Sequence, residues 1–182
     1  NPWQYRLNIV GLTLSSLYLV WSVSAQHYVM KTVEDSLDHQ SIRYRQLSVT
    51  AAPLNTLLWR VIAIKQDGSY YEGFYSLLDQ SGEVFLQQHE SQNDLLAGIE
   101  QSWPVKRLVW FTKGYFKVWQ NSDEIIVSDL RMGIEPDYVF SFAVAKRSNP
   151  HALPISAERI RQNRDLSVLK KVWKRIWSPS MI

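Results

Sequence analysis

Nineteen consecutive uncharged residues, LNIVGLTLSSLYLVWSVSA at 7–25, constrain this chain more than any other stretch. A helix of about 20 predominantly apolar residues covers the hydrocarbon core of a bilayer. Arg6 stands just before the run, and His27 and Lys31 come after it. Trp3, Tyr5, Trp21 and Tyr28 fall where interfacial aromatics anchor the two ends of a span. A secretory signal is one rival reading, because Ser22-Val23-Ser24-Ala25 loosely satisfies a small-residue cleavage site. A chain that opens with Asn1 reads instead as a fragment or a processed product, which counts against that rival. A buried core helix is the other, but Ser15, Ser16, Ser22 and Ser24 do not weaken the hydropathy enough to favour it. The expectation is a transmembrane helix within residues 1–28. Lys31, Arg43 and Arg45 outnumber Arg6, which points the domain after the helix toward the cytoplasm.

The chain as a whole has an ordinary globular composition, with 46% hydrophobic and 20% charged residues. No cysteine is present, which excludes a disulfide framework, a thiolate nucleophile and any Cys-based zinc site. Charge is uneven. Residues 1–150 carry 13 basic and 15 acidic side chains, a net of −2, whereas residues 151–182 carry seven and two, a net of +5. A basic tail of this kind suits an anionic surface. Nucleic acid is not the expected partner, because the basic residues share their helix with a Trp-rich apolar stripe.

Residues 29–46 read as a polar helical stalk in which Val33, Leu37 and Tyr44 form a thin apolar stripe. From Leu47 the period shortens. LSVTA, LLWRVIAI at 57–64, YYEGFYSLL at 70–78 and EVFLQQ read as strands, and Asp67-Gly68 is a hairpin signal between the second and third. NDLLAGIEQS at 93–102 reads as a short helix capped by Asn93 and ended by Pro104. RLVWF, YFKVW, EIIVSDL and a run from Tyr138 to Ala145 continue the strand pattern. The last of these places Tyr138, Phe140, Phe142 and Val144 on one face, with Gly133 and Pro136 serving the turn before it. Residues 47–146 are therefore expected to form an antiparallel meander sheet with a few covering helices, an α+β fold. Residues 147–182 are read as a basic, amphipathic helical tail. In DLSVLKKVWKRIW the stripe Leu166, Leu169, Val172, Trp173, Ile176 and Trp177 either lies in a membrane interface, with Trp173 and Trp177 as contacts, or packs on the sheet.

The reactive inventory is thin. His27, His39, His89 and His151 are scattered, and none of the usual metalloprotease, nucleophile-elbow or phosphate-loop patterns occurs. No catalytic or metal-ligating residue is assigned. Asn55, Arg60, Asp79, Asp129 and Arg131 are the candidates for a substrate-facing surface or structural ion pairs. Arg60 interrupts an apolar strand and must either emerge on a solvent face or find a carboxylate, for which Asp79 and Asp129 are both placed.

PLNTLLWRVIAI with YYEGFYSLLD, then KRLVWFTKGYFKV, then IVSDLRMG followed by YVFSFAVA, resemble in the same order the C-terminal region of the bacterial membrane-bound metal-dependent hydrolases of the YdjM type. The apolar helix ending LYLVWSVSAQ is similar to the last membrane helix of those proteins, so the likeness covers residues 1 to about 146. The resemblance implies a bacterial inner-membrane protein whose upstream membrane helices carry His and Asp motifs holding a divalent metal such as zinc. None of those motifs lies in this chain, so it implies no cofactor within these residues. Its partners would be the bilayer and those upstream helices. The contrasting expectation is a non-enzymatic, membrane-tethered module that binds another protein.

Overall fold

The computed structural model describes residues 2–148, 151–160 and 167–178; the readings that fall on Asn1, Asp165 and Leu166 lie outside them. The architecture is α+β: one long N-terminal helix, two four-stranded antiparallel sheets, and short covering helices.

Helix α1 runs unbroken from Pro2 to His39, 38 residues, or about 57 Å at 1.5 Å per residue. Its two halves differ. Every described residue from Pro2 to Trp21 is exposed, whereas Ala25, Val29, Val33, Ser36 and Leu37 are buried. Their spacing of four, four, three and one traces a single stripe on a 3.6-residue helix. The segment expected to be a free stalk is therefore a packed helix as far as His39, because the stripe containing Val33 and Leu37 finds a sheet to cover.

That sheet is a meander in the order β1 (Gln46–Ala51), β2 (Leu58–Ile64), β3 (Tyr70–Ser76), β4 (Leu86–His89). The expected Asp67-Gly68 turn joins β2 to β3; Asp67 Oδ1 accepts from Ser69 N at 2.9 Å and Gly68 sits at φ +87°. All seven residues of β2 are buried. Trp59, Val61 and Ala63 pack with Val49, Tyr75 and the α1 stripe on one face. On the opposite face, Ile62 and Ile64 meet Tyr70, Leu130 and Tyr138, while Leu58 meets Phe74, Val172 and Ile176. A strand covered on both sides reads as a continuous apolar run, and only Arg60 breaks it.

The second sheet has the order β10 (Leu153–Arg159), β9 (Ser141–Lys146), β6 (Glu124–Asp129), β5 (Phe116–Asn121). Between β6 and β9 the chain makes a small hairpin of β7 (Gly133–Ile134) and β8 (Asp137–Tyr138). Gly133, expected in that turn with Pro136, lies instead on β7 opposite Tyr138, where at φ +119° a Cβ would lie 2.4 Å from Asp137 O, and Glu135-Pro136 make the turn. The face formed by Val118, Ile125, Val127 and Val144 is covered by Leu96, Ile99 and helix α2 (Trp103–Thr112).

Several local readings are corrected. RLVWF belongs to α2, not to a strand. Pro104 opens this helix, where its missing N–H costs nothing, and Lys113 closes it in the left-handed conformation at φ +53°. Residues Asn93–Leu96 form only a 3-10 turn, and Asn93 Oδ1 accepts from Ser91 Oγ at 2.7 Å without capping a helix. The run from Tyr138 to Ala145 is divided between β8 and β9. A bulge opposite Ile125/Ile126 breaks its alternation, so that Val144 and Ala145 share one cluster. Part of the tail expected to be helical is the edge strand β10, where Pro154 is tolerated; helix α3 (Ser167–Arg175) comes after it.

The two halves of α1 should respond differently to truncation. Leu37→Ala, at a fully buried site, is expected to lower the stability of the sheet domain by about 2–5 kcal/mol. Leu12→Ala should leave it within about 0.5 kcal/mol. Urea unfolding in detergent, followed by Trp fluorescence, measures both.

Candidate functional site

Arg60 lies on the inward face of β2, and its side chain is 7% exposed. Its partner is Glu72 of β3, not Asp79 or Asp129: Arg60 Nε donates to Glu72 Oε1 at 2.8 Å, and the Glu72 side chain is 4% exposed. Because Arg60 stands opposite Phe74, Glu72 is its diagonal neighbour two residues along β3. Glu72 Oε2 accepts from Tyr138 Oη at 2.7 Å. Tyr138 and Tyr70 hydroxyls lie 3.1 Å apart, and Tyr70 Oη donates to Glu135 Oε2 at 2.6 Å. Lys117 Nζ of β5 completes the chain with bonds of 2.6 and 2.7 Å to the two Glu135 carboxylate oxygens. A continuous polar thread therefore runs from the first sheet through the β7–β8 hairpin to the second.

Electrostatics follow from this burial. Tyr70 and Tyr138 are pushed far above the usual phenol range, first by burial and then by the neighbouring Glu135 and Glu72 carboxylates. Burial also works to raise Glu135. Hydrogen bonds from Lys117 and Tyr70, with the Lys117 charge, outweigh it and bring Glu135 below the ordinary value of 4.5. One donor is left over: Arg60 Nη2 is buried without a hydrogen-bond partner. The thread holds phenols in their protonated form and the glutamates as acceptors, an arrangement that joins sheets and offers no activated nucleophile.

The other sequence candidates are ties of the same kind. Asp79 holds Arg175 of α3 in a two-pronged pair of 2.8 Å bonds, and Arg175 Nη2 also donates to Phe74 O at 2.9 Å. Arg131 grips Asp129 through Nε and Nη2 at 3.0 and 2.7 Å. Its Nη2 also donates to Phe111 O at 2.9 Å, closing the end of α2. The hydrogen bond to Asp129 raises the Arg131 guanidinium further above its ordinary value. Asn55 is a loop organiser, its Oδ1 accepting from Leu57 N and Leu58 N at 3.0 and 2.7 Å. Of these five, Asp129 and Arg131 pair with each other, whereas Arg60 and Asp79 find partners outside the set and Asn55 bonds its own loop.

The described residues contain no group of three or more His, Asp and Glu side chains able to hold a metal. The histidines are dispersed: His27 Nδ1 lies 2.8 Å from Val23 O, the His89 ring sits tilted against Tyr70 at 5.3 Å, and His151 stands beside Gly98. The described residues therefore do not fit a divalent cation. An open groove of about 580 Å³ runs between the packed half of α1 and the β3–β4 connection, lined by Tyr28, Thr32, Asp35, Ser36, His39, Gln40, Gly82 and Glu83. Ser36 Oγ, which accepts from Val84 N at 2.9 Å, is engaged in holding that connection to the helix.

Of the expected membrane contacts, Trp3, Tyr5, Trp21 and Tyr28 are exposed along α1, and Trp173 and Trp177 are exposed at α3. One helix among the described residues, α1, is long and apolar enough to cross a membrane, with the relevant window wholly exposed at a mean hydropathy of 1.4. Helix α3 packs on the sheet through Val172, Arg175 and Ile176, and leaves both tryptophans outside.

Comparison with protein-family models finds no match, and comparisons with curated proteins and with solved structures find none either.

Glu72, Tyr70, Tyr138, Glu135 and Lys117 are not among the sequence candidates. The available signal is Glu72 itself, which shares a strand face with Tyr70 and Phe74. An inward carboxylate on a neighbouring strand is what a buried arginine requires. Removing it leaves the guanidinium buried and unpaired, so Glu72→Ala should destabilise by about 3–5 kcal/mol. A smaller loss on replacing both partners together, as Arg60→Leu with Glu72→Leu, is the expected result of a double-mutant cycle by chemical denaturation.

The depressed Glu135 carboxyl makes stability depend on pH. Its contribution to stability is fully present above the ordinary glutamate value and is lost as pH falls through the lower folded value. A Glu135→Gln protein should therefore be less stable near neutrality and show a flatter loss of stability below pH 4.5, read from denaturation midpoints across pH.

Proposed function

We propose that this chain is the membrane-anchored C-terminal accessory part of a bacterial metal-dependent hydrolase, whose metal-binding catalytic region lies upstream. The observation that carries the reading is the division of α1 into an exposed apolar half and a half packed into the sheet domain. Such a helix ties a folded domain directly to a span, since about 20 apolar residues suffice to cross the bilayer. The resemblance of PLNTLLWRVIAI, IVSDLRMG and YVFSFAVA to the YdjM-type hydrolases supplies the reaction class. In this reading the domain sits on the cytoplasmic face of the inner membrane and braces the last membrane helix, while the metal chemistry belongs to the helices before it.

A second reading has its own observation. Helix α2 presents Trp103, Trp110 and Phe111 to the outside, with Trp110 78% exposed. An exposed aromatic patch of this kind is a protein-binding feature, and it favours a non-enzymatic tethered interaction module.

The coding sequence before Asn1 separates the two. His and Asp clusters within apolar helices are the expected finding, and a start codon immediately before Asn1 would overturn the hydrolase reading. A calorimetric titration of the chain with Zn²⁺ or Mn²⁺ should give no stoichiometric binding. Tight one-to-one binding would show that the metal region is not confined to upstream helices.

A further inference from the structure

We propose a second membrane contact on the sheet domain itself: the end of the first sheet nearest α1's exposed half docks onto anionic lipid headgroups. The proposal rests on the reading of α1 as a membrane span and adds to it an orientation and a lipid class.

Four features meet at that end. Pairing of Ala51 with Trp59 and of Leu58 with Ser76 brings the end of β1, the start of β2 and the end of β3 level. Trp21 Nε1 donates to Thr56 Oγ1 at 3.1 Å, so α1 leaves the domain beside the β1–β2 loop. Within the loop, Leu54 is 92% exposed and held at φ +62°. A bulky residue rarely adopts that conformation without compensation. Here Asn55 fixes it, donating to Pro53 O at 3.1 Å and accepting from Leu57 N and Leu58 N. The result is a hydrogen-bonded loop with an exposed apolar tip. Leu78, just beyond β3, is also exposed.

Helix α3 is clamped to the same end. Ser76 Oγ donates to Ile176 O at 2.8 Å, Arg175 is paired with Asp79, and Val172 and Ile176 pack with Ala52, Leu57 and Leu58. With that inner side engaged, α3 and the turn after it present Trp173, Trp177 (74% exposed), Lys170, Lys171 and Lys174 to the outside. Asp79, the carboxylate at this surface that contacts α3, is neutralised by Arg175. Apolar tips, tryptophans and lysines together match the chemistry of an anionic lipid interface. Each lysine held near such a surface favours docking by about fivefold. Continuity with the exposed half of α1 selects a bilayer as the occupant in place of a soluble partner.

The absence of cysteine makes the test clean. Single substitutions Leu12→Cys, Leu54→Cys, Trp177→Cys and Asn121→Cys would carry a nitroxide label in the intact chain, reconstituted in vesicles of phosphatidylcholine with or without phosphatidylglycerol. Oxygen and nickel-chelate accessibilities report depth. The expected result is shielding at positions 12, 54 and 177 in anionic vesicles, with position 121, on the β5–β6 turn, fully aqueous. Replacing Lys170, Lys171 and Lys174 together with Gln should shift docking by about 100-fold and return positions 54 and 177 to water while position 12 stays shielded. If position 12 is shielded but 54 and 177 are aqueous in both lipids, docking is wrong and the anchor stands. If position 12 is aqueous, the anchor reading fails, and position 54 alone then decides whether the surface contact survives.

Discussion

A guanidinium in the middle of a strand that is buried on both faces sets the terms for the rest of this structure. β2 can be covered by α1 on one side and by Leu130, the β7–β8 hairpin and α3 on the other only if Arg60 finds a carboxylate inside the protein. Glu72 supplies it, but a carboxylate bound by a single guanidinium bond still has acceptor capacity to fill. Tyr138 fills it, and this places the β7–β8 hairpin against the first sheet. Tyr70 and Glu135 then extend the thread to Lys117. The polar link between the two sheets thus begins at one buried residue whose alternatives are all costly.

Two further charged pairs share a pattern. Asp79–Arg175 and Asp129–Arg131 are both two-pronged, and in each the arginine also reaches a backbone carbonyl, of Phe74 and Phe111 respectively. A planar guanidinium can grip a carboxylate with two parallel bonds and still reach a main-chain carbonyl, a fixed fork that the compact ammonium of lysine does not offer. Each pair therefore fastens a helix end to a strand end. The Asp-Leu-Arg triplet ahead of the β7–β8 hairpin is a fastening of this kind.

Much of the strand order is readable in the sequence, because alternation and turn residues act locally. Asp67-Gly68 marks a turn whose backbone needs are visible in the residues themselves. Residues 103–112 mislead because a short apolar run does not distinguish helix from strand, and a proline can open a helix as well as end one. The partner of Arg60 escapes a sequence reading for a different reason. Asp79 and Asp129 lie nearer the expected strand ends, but each has an arginine of its own, one of them 96 residues away in sequence. That pairing is decided by topology, whereas Glu72 lies only 12 residues from Arg60, across the Asp67-Gly68 hairpin. The edge strand β10 is hidden likewise, since an exposed edge carries little hydrophobic alternation.

The continuity of α1 has a geometric consequence. Between Trp21, in the exposed half, and Ala25, where packing begins, the helix has no break, and each residue advances it by about 100°. The angular phase between the exposed aromatics and the sheet is consequently set by a count of residues, not by a hinge. Inserting one residue there would swing the whole sheet domain about the rod by roughly a quarter turn. Changes of helix tilt or rotation at one end are likewise carried to the other as rigid-body movement, with the first sheet as the lever arm.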